Sequence, residues 1–380
     1  MDYKRLGKYI REVSVRNKDM KVTNLQGVSI SKQFIPSIAN TIGTDMSTYK
    51  VVKPGQFAYG PVTSRNGDKV SIALYKGNED AIISQAYTVF EVVDSEQVSS
   101  EYLMMWFQRP EFDRYARFHS HGSAREIFDW DELCGVYLPL PDIDRQREIV
   151  EEYETLSRRI RLNEQMIEKL EATAQALYRK MFVDGIDKEN LPEGWRMGSL
   201  GDFGEVVTGK TPSTLDESNF GDYMPFVTIP DMHNGFYVIE TERGLSKKGV
   251  AIQANKTVPK NSVCVSCIGT SGLVVITPKD CQTNQQINTI IPQKEYALEY
   301  IYLTCCGLEK IIAEYGMGAA VLNNLNKSEF ENIGVIVPLD VEMQNFHKQV
   351  SPVFQTIYLQ QQENSKLTEL QSLLLAKMGQ

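Results

Sequence analysis

The sequence predicts an α/β (α+β) protein with an internal two-fold repeat, in which two tandem domains are each followed by a long helix. Three observations predict it: residues that recur about 198 positions apart, short β-branched runs broken by Gly, Pro and Asn, and two long segments with almost no helix breaker. We expect the two helices to pair as an antiparallel coiled coil. The expected boundaries are a first domain at 1–141, a central helix at 142–183, a second domain at 184–338 and a C-terminal helix at 339–380.

The repeat can be followed along the chain. Glu101-Tyr102-Leu103 recurs as Glu299-Tyr300-Ile301 at an offset of 198, and Lys180-Met181 recurs as Lys377-Met378 at an offset of 197. Where the long helices begin, the matching residues are Pro139, Leu140 and Gln146 in the first half and Pro338, Leu339 and Gln344 in the second. Because this period is too long for a solenoid unit, it indicates that one domain-plus-helix module was duplicated.

Each domain is expected to combine short strands with a helix of its own. In the first domain the pattern predicts a helix from Ser100 to about Gln108 that continues after Pro110. In the second domain it predicts a helix from Leu298 to about Tyr315.

The long helices are predicted from about Asp144 to Phe182 and from about Glu342 to Met378. Pro352 lies ten residues into the second one, so its first turns are expected to kink or to start late. The first helix carries an apolar heptad stripe, which requires a partner helix: Ile149, Tyr153, Leu156, Ile160, Asn163, Ile167, Leu170, Ala174, Leu177 and Met181. The same register in the second helix has a polar centre: Phe346, Val350, Val353, Ile357, Gln360, Asn364, Leu367, Gln371, Leu374 and Met378. The alternative is that each helix packs only on its own domain.

The charge of the chain limits how it can bind nucleic acid. Its 380 residues include 40 basic and 49 acidic side chains, a net charge of −9. Residues 1–141 carry 17 of each sign, whereas 184–380 carry 15 basic and 23 acidic residues. Any contact with DNA must therefore use local patches, or a partner must supply much of the positive charge.

The composition predicts a cytoplasmic protein. The six cysteines have no disulfide-framework spacing, the first residues lack an apolar signal core, and no apolar run approaches the roughly 20 residues that span a bilayer.

Two short motifs suggest chemistry that their context does not support. Gly204–Thr211 matches the phosphate-loop pattern letter for letter, but Pro212 removes an amide where the phosphate-binding helix would begin. Val206 and Val207 favour a strand, so we expect a strand end and a turn that displays Lys210 to Ser213. A nucleotide hydrolase centred on Lys210 remains the enzyme alternative.

The second motif, Cys264-Val265-Ser266-Cys267, lacks the second cysteine pair of a zinc site, so buried thiols are expected. His119 and His121 lie in a polar loop, and His233 and His347 are isolated. We therefore expect no catalytic, metal-binding or cofactor-binding residue in this chain.

Several loops carry side chains that can contact base edges and phosphates. Arg pairs with guanine, Asn and Gln pair with adenine, and Ser, Thr and Lys hold phosphates. Each loop alone is more often a solvated turn, but their recurrence in both halves favours DNA binding. The residues predicted to bind DNA are Ser64, Arg65, Asn66, Lys69, His119, His121, Ser123, Arg125, Lys210, Thr211, Ser213, Asn284, Gln285, Gln286, Asn323, Asn324 and Lys327.

Over essentially its whole length the chain resembles the specificity (S) subunits of type I restriction-modification systems. The resemblance rests on the repeat, on Leu191–Trp195, on Gly209–Ser213, on Thr283–Gln286 and on the ending Leu373–Met378. The first half lacks the Pro-Glu-Gly-Trp signature, and Pro338-Leu339-Asp340 is a shorter lead into the second helix than the first half has.

The resemblance implies two target-recognition domains, each reading half of a bipartite site in double-stranded DNA, with the two helices as a ruler. It also implies two docked methyltransferase (M) subunits and, in the full complex, translocase-nuclease (R) subunits. S-adenosylmethionine, ATP and magnesium would be held by those partners and none by this chain. Two alternatives are the specificity partner of a type II or IIG restriction-methylation enzyme and, in another class, a coiled-coil protein-interaction scaffold.

Overall fold

The structure is a computed structural model that describes residues 3–37, 43–64, 66–67, 69–122, 126–233, 235–312 and 325–379. The described residues divide into two compact units. One lies within Met1–Arg158 and Leu367–Gln380, and the other lies within Arg159–Lys366. The two long helices each contribute one part to either unit.

The chain begins with ten short strands, three helices and the first long helix. The strands are β1 (Tyr3–Arg5), β2 (Ile10–Val13), β3 (Gln26–Val28), β4 (Phe34–Pro36), β5 (Lys50–Val52), β6 (Phe57–Gly60), β7 (Ser71–Leu74), β8 (Ala81–Ile83), β9 (Thr88–Val92) and β10 (Tyr137–Pro139). The helices are α1 (Ser100–Gln108), α2 (Pro110–Phe118), α3 (Trp130–Gly135) and α4 (Ile143–Phe182).

The described part of the second half also has ten strands and ends in a long helix, but two short helices lie between its strands. Its strands are β11 (Arg196–Ser199), β12 (Gly204–Thr208), β13 (Phe220–Val227), β14 (Arg243–Leu245), β15 (Thr257–Val258), β16 (Val263–Ser266), β17 (Val274–Ile276), β18 (Cys281–Thr283), β19 (Ile287–Pro292) and β20 (Gly334–Val337). Its helices are α5 (Ile229–Met232), α6 (Lys247–Ile252), α7 (Leu298–Cys306), α8 (Lys327–Glu331) and α9 (Asp340–Lys377).

The predicted two-fold repeat is confirmed by the sheets. The first unit has a four-stranded antiparallel sheet in the order β2-β9-β6-β7, and the second has the equivalent sheet β12-β19-β16-β17. In both units the first and last strands also pair, as β1-β10 and β11-β20. Beside its main sheet the first unit has the pairs β3-β4 and β5-β8, and the second has the sheet β14-β13-β18-β15.

The core of each unit lies between its main sheet and the helix that follows the last strand of that sheet. In the first unit, Phe57 stacks on Phe90 at 4.7 Å between ring centroids, and Phe107 of α1 contacts both rings edge-on. In the second unit, α7 is buried along nearly its whole length, with Tyr300 and Ile301 at its centre. The β-branched and aromatic runs of the sequence form strands because each strand can bury one face against such a helix.

The two long helices pack antiparallel within each unit. In the second unit, the Arg159 guanidinium binds the Glu363 carboxylate at 2.9 and 3.0 Å, and the buried Asn163 amide donates to Asn364 Oδ1 at 2.8 Å. In the first unit, Gln371 Nε2 donates to Ser157 Oγ at 2.7 Å. The predicted antiparallel pairing is therefore confirmed in both units.

The end of α9 also packs on the first domain. Met378 is buried in the same core as the first main sheet, with Leu375 beside it. The Tyr3 hydroxyl donates to the Gly379 carbonyl at 2.9 Å. The first unit is thus closed by residues that lie more than 200 positions away in sequence.

Three details differ from the sequence-based expectations. The helix α9 does not start late: it is continuous from Asp340 to Lys377, with Pro352 inside it. The buried side chains after that proline are Phe354, Ile357 and Gln361. Ile357 is a predicted position, whereas Phe354 and Gln361 lie one position beyond the predicted Val353 and Gln360. The buried positions are shifted because this face of α9 packs on the second domain as well as on α4. The buried face is therefore wider than a coiled-coil stripe.

The third difference concerns α7, which ends at Cys306 instead of about Tyr315. A turn at Gly307 and Leu308 interrupts it, and helical conformation resumes at 309–312. Glycine weakens a helix interior by about 1 kcal/mol relative to alanine, and here it ends the helix.

Among the described residues, no helix is long and apolar enough to span a membrane.

The long helices α4 and α9 begin 197 positions apart, whereas the matching residues Pro139 and Pro338 suggest an offset of 199. Tyr102 of α1 and Tyr300 of α7 occupy the third position of their helices, and their hydroxyls donate to the carbonyls of Pro139 and Ile336. The structural offset there is therefore 197, not 199. By this offset the buried Gln146 corresponds to the buried Met343, whereas Gln344 is exposed.

Candidate nucleic-acid interface

In the first unit the two loops predicted to bind DNA lie side by side. The loop that follows β6 and the segment that follows α2 are joined by a hydrogen bond from Thr63 Oγ1 to Ser120 Oγ at 2.9 Å. The Thr63 amide also donates to the Glu126 carbonyl at 3.0 Å, and Val62 and His121 both pair with Ile127. Ser64 and Lys69 are exposed on this surface, and Asn66 braces the loop through Val62 O and Ser71 Oγ, each at 3.2 Å.

A buried ion pair supports the far end of the same loop. Lys32 Nζ lies 2.8 Å from Asp113 Oδ1, with both side chains at most 14% exposed. The same carboxylate oxygen accepts the Val70 amide at 3.0 Å, so α2 holds the last residue of the loop. Burial lowers the pKa of Lys32, and the hydrogen bond from Lys32 to Asp113 opposes that change.

His119 and His121 share one carboxylate. Glu132 lies 3.2 Å from His119 Nδ1 and 3.6 Å from His121 Nε2. The His119 ring also stacks on Tyr115 at 4.1 Å, so it is held on the protein, whereas His121 is exposed. Five of the predicted residues lie outside the described part of the chain: Arg65, Ser123, Arg125, Asn323 and Asn324.

In the second unit the predicted loops are again brought together. The Lys210 amide donates to the Thr283 carbonyl at 2.9 Å, and Thr211 Oγ1 donates to Gln285 Oε1 at 2.6 Å. Lys210, Ser213 and Gln285 are exposed there. These loops lie where β12 ends and β19 begins, which is the same end of the main sheet as in the first unit.

The Gly209-Lys210-Thr211 sequence follows the end of a strand, as predicted, and the turn comes just after it, from Ser213 to Asp216. Strand β12 stops at Thr208, and no helix begins at Lys210 in this described region. A Cβ on Gly209 would lie 2.2 Å from both the Asn284 carbonyl oxygen and Thr283 Oγ1. The glycine is therefore required because two loops cross at contact distance.

Asn284 and Gln286 form a linked pair. The Asn284 side chain is only 7% exposed; it accepts the Gln286 amide at 3.0 Å and donates to Gln286 Oε1 at 3.0 Å. Asn284 thus fixes the half-exposed Gln286. Lys327 is exposed at the first position of α8, 3.3 Å from Glu331, and follows a capping box made by Asn326 and Glu329.

The sequence reasoning missed a buried polar network behind these loops. Gln253 Nε2 donates to the Lys210 carbonyl at 2.7 Å and to Gln282 Oε1 at 2.9 Å. Asn288 accepts from Thr208 at 2.6 Å and donates to the Leu325 carbonyl at 3.3 Å. The signal that could have revealed Gln282 and Asn288 is an amide side chain inside a buried strand, because buried polar groups need partners.

The remaining motifs have structural explanations. Cys264 and Cys267 are buried free thiols, as predicted, and burial raises their pKa to about 12 and about 11. Within the part of the chain that the structure describes, no three His, Cys, Asp or Glu side chains are grouped to hold a metal ion. His347 binds the buried Glu299 through Nδ1 at 2.8 Å.

The structure is that of a protein with two tandem α/β domains. Each domain has two polar loops side by side at one end of its main sheet. The chain matches the model of the type I restriction modification DNA specificity domain twice, over residues 30–172 and 192–369. It therefore belongs to that family.

Two similar proteins are specificity subunits of type I restriction enzymes. The HindI subunit of Haemophilus influenzae is 29% identical over 402 residues, which cover 87% of this chain and 86% of that protein. The MjaIX subunit of Methanocaldococcus jannaschii is 24% identical over 314 residues, covering 76% and 70%. The crystal structure of a type I restriction-modification S subunit from M. genitalium shares the fold, with a TM-score of 0.61, 13% identity and coverage of 100% and 96%.

Proposed function

We propose that this chain is the non-catalytic DNA-sequence specificity subunit of a type I restriction-modification complex. Each unit contacts one half of a bipartite site in double-stranded DNA. The paired long helices set the spacer between the halves and hold two methyltransferase subunits. The observation that carries the proposal is the recurrence of a braced polar loop pair at the same end of the same sheet in both units.

The exposed side chains of these loops suit base and phosphate contacts. In the first unit they are Ser64, Lys69 and His121, and in the second they are Lys210, Ser213 and Gln285. Glutamine can pair with adenine, lysine with guanine or phosphate, and serine with either kind of group. The His121 backbone pairs with Ile127 and the Lys210 amide donates to the Thr283 carbonyl, so these two positions lose little ordering entropy on binding. With a net charge of −9, the chain needs additional phosphate neutralisation from its partners.

The helix pair offers a surface for a methyltransferase subunit. In the first unit a groove of about 640 Å³ is lined by Leu156 of α4 and by Leu370, Leu373 and Leu374 of α9. Leu370 and Leu373 are 48% and 52% exposed. Glu148, Glu151 and Glu152 border the groove, so a partner helix with an apolar ridge and basic flanks would fit it.

DNA methylation, ATP hydrolysis and cleavage are assigned to the M and R subunits, which would hold S-adenosylmethionine, ATP and magnesium. The residues of this chain contribute binding and alignment. Membership of a family of DNA specificity domains supports this division.

The test is to map methylated adenines genome-wide in cells that carry this chain and its partner subunits, with and without its gene. We expect one motif of two short halves, separated by a fixed unspecified spacer, to disappear on deletion. The purified complex should then bind a duplex with that motif far more tightly than a scrambled duplex, and the affinity should fall as salt rises.

A duplex with both halves intact but a spacer one base pair longer is the matched control. Equal binding to all three duplexes would contradict sequence recognition and favour a protein-interaction scaffold.

A further inference from the structure

Two apolar side chains protrude from the loops that carry the predicted DNA-binding residues. Leu215 is 97% exposed and Phe118 is 82% exposed, and the next large apolar side chain among the described residues is Met20 at 60%. Exposed apolar residues are common on protein surfaces and usually need no explanation. These two are different because one occurs in each unit, directly beside the polar loops.

Leu215 stands at the tip of a rigid turn. The Asp216 amide donates to the Ser213 carbonyl at 3.4 Å, and Asn219 Nδ2 donates to the same carbonyl at 3.0 Å. Asp216 accepts the Ser218 amide at 3.1 Å and binds Lys248 Nζ at 2.7 Å. The backbone on both sides of Leu215 is therefore fixed, and its side chain points away from the protein two residues after Ser213.

Phe118 is displayed in an equally defined way. It is the last residue of α2, and its ring meets the His119 ring edge-on at 5.3 Å. His119 in turn stacks on Tyr115 and contacts Glu132. The phenyl ring thus extends from a helix end whose neighbours are all held by the protein.

We propose that Phe118 and Leu215 insert between stacked base pairs of double-stranded DNA, each in its own half-site. Proteins that distort DNA use Phe, Leu, Ile and Met in this way, and a wedge inserted between two base pairs bends the duplex. The free side chain gains apolar contact with bases only in the complex, which explains why it is left exposed otherwise. Pyrimidine–purine steps unstack most easily, so each half-site should contain one at the insertion point.

This inference rests on the proposed function, and its test uses the full chain with its methyltransferase subunits. The probes are duplexes that carry the motif found by methylation mapping, with 2-aminopurine placed in turn at each position that is not methylated. This base brightens when it is unstacked. We expect one bright step in each half-site. Phe118→Ala should abolish the first and Leu215→Ala the second, each with about 10-fold weaker binding.

Two further pairs of variants make the result specific. Phe118→Leu and Leu215→Met should restore the signal because they keep an apolar wedge. Val93→Ala and Met197→Ala also remove exposed apolar groups, but they lie away from these loops, so they should match the parent chain. All four residues are exposed, so unchanged melting temperatures are expected.

Tight motif binding without any bright step, or with steps that persist in both alanine variants, would overturn the insertion while leaving the proposed function intact. Loss of complex assembly without loss of the bright steps would identify the two side chains as protein contacts and would equally overturn it. Failure of the parent complex to bind the motif would overturn the proposed function and this inference together.

Discussion

Gly209 lies where the turn after β12 crosses the end of β18. A methyl group there would come within 2.2 Å of the Asn284 carbonyl oxygen, which is backbone and cannot rotate away. Gly209→Ala should therefore push the two loops apart and cost about 1–3 kcal/mol of unfolding free energy. Denaturant melts of the two proteins measure the loss, and binding to the second half-site should weaken with it.

Gly201→Ala is the matched control. The nearest atom to a Cβ at Gly201 is the Glu331 carbonyl oxygen at 3.5 Å, an ordinary contact, and its backbone does not require glycine. This variant should be as stable as the parent or slightly more so. Equal melts for the two alanine variants would show that the loop crossing imposes no constraint.

The carboxyl group of Glu299 is buried, and burial disfavours its charged form. The side chain is 4% exposed, and burial raises its pKa above the usual 4.5, although the hydrogen bond to His347 opposes the rise. The folded protein thus binds this proton more tightly than the unfolded chain does. This proton stabilises the folded state fully when the pH is below the ordinary pKa of glutamate. The stabilisation is lost as the pH rises through the raised pKa of Glu299. Glu299→Gln stays neutral, so relative to the parent it should gain stability as the pH rises from about 4 to about 7.

Urea unfolding of both proteins at the two pH values measures this difference. Glu101 is the equivalent residue at the second position of α1, but it is exposed and accepts a hydrogen bond from the Ser99 hydroxyl. Glu101→Gln removes this exposed carboxylate and is the control. A constant gap between Glu299→Gln and the parent at both pH values would contradict the assigned effect of burial.

At the scale of elements, the helix pair makes the sharpest prediction. Because α4 and α9 are each anchored in the cores of both units, they must be lengthened together. The matched sites lie at the boundary between the two units, after Arg158, five residues ahead of Asn163, and before Glu369, five residues beyond Asn364. Four helical residues added at each site lengthen the pair by about 6 Å, or one to two base pairs at about 3.4 Å each. Methylation mapping should find the same two halves with a spacer longer by that amount.

The control replaces four residues at each site with alanine and adds none, which should leave the spacer unchanged. A folded, active insertion variant with the original spacer would mean that the helices do not set the distance.

The sequence predicts the helices better than the loops. Helix α4 is found within one residue of its expected start and at its expected end, because a 3.6-residue apolar period without Gly or Pro over 40 residues has no competing structure. Pro352 misled the prediction for α9, since an interior proline costs about 3 kcal/mol. Here the neighbouring Val350, Phe354 and Ile357 are buried in the second core, and burying one such side chain contributes roughly 1.5–3 kcal/mol.

Which loops meet could not be read from the sequence. Thr211 and Gln285 are 74 positions apart, and Thr63 and Ser120 are 57 apart. Their proximity follows from strand order, which depends on long-range pairing and not on local pattern. Donor-rich composition identified the loops, but it did not distinguish exposed residues such as Gln285 from supporting ones such as Asn284.

At the scale of the whole molecule, the duplication predicts that specificity is modular. Replacing residues 1–141 with the equivalent domain of a relative should change one half of the methylated motif only. Met378 and Leu375 pack into the core of that domain, so an exchange that also carries over 367–380 should fold more stably than one that does not. Thermal melts compare the two exchanges, and methylation mapping reads the motif. A change in both halves would contradict independent reading by each unit.

The contribution of α9 to the first unit also has a consequence for synthesis on the ribosome. The second unit is formed by one continuous stretch, Arg159–Lys366, whereas the first needs Leu367 and the residues after it to complete its core. Domains generally fold as soon as their sequence has emerged. The domain made first is therefore finished last, after the second has already folded. A premature stop a few codons before Met378 would damage the opposite end of the sequence, and for nearly the whole of translation the core of the first unit would lack the packing of Leu375 and Met378.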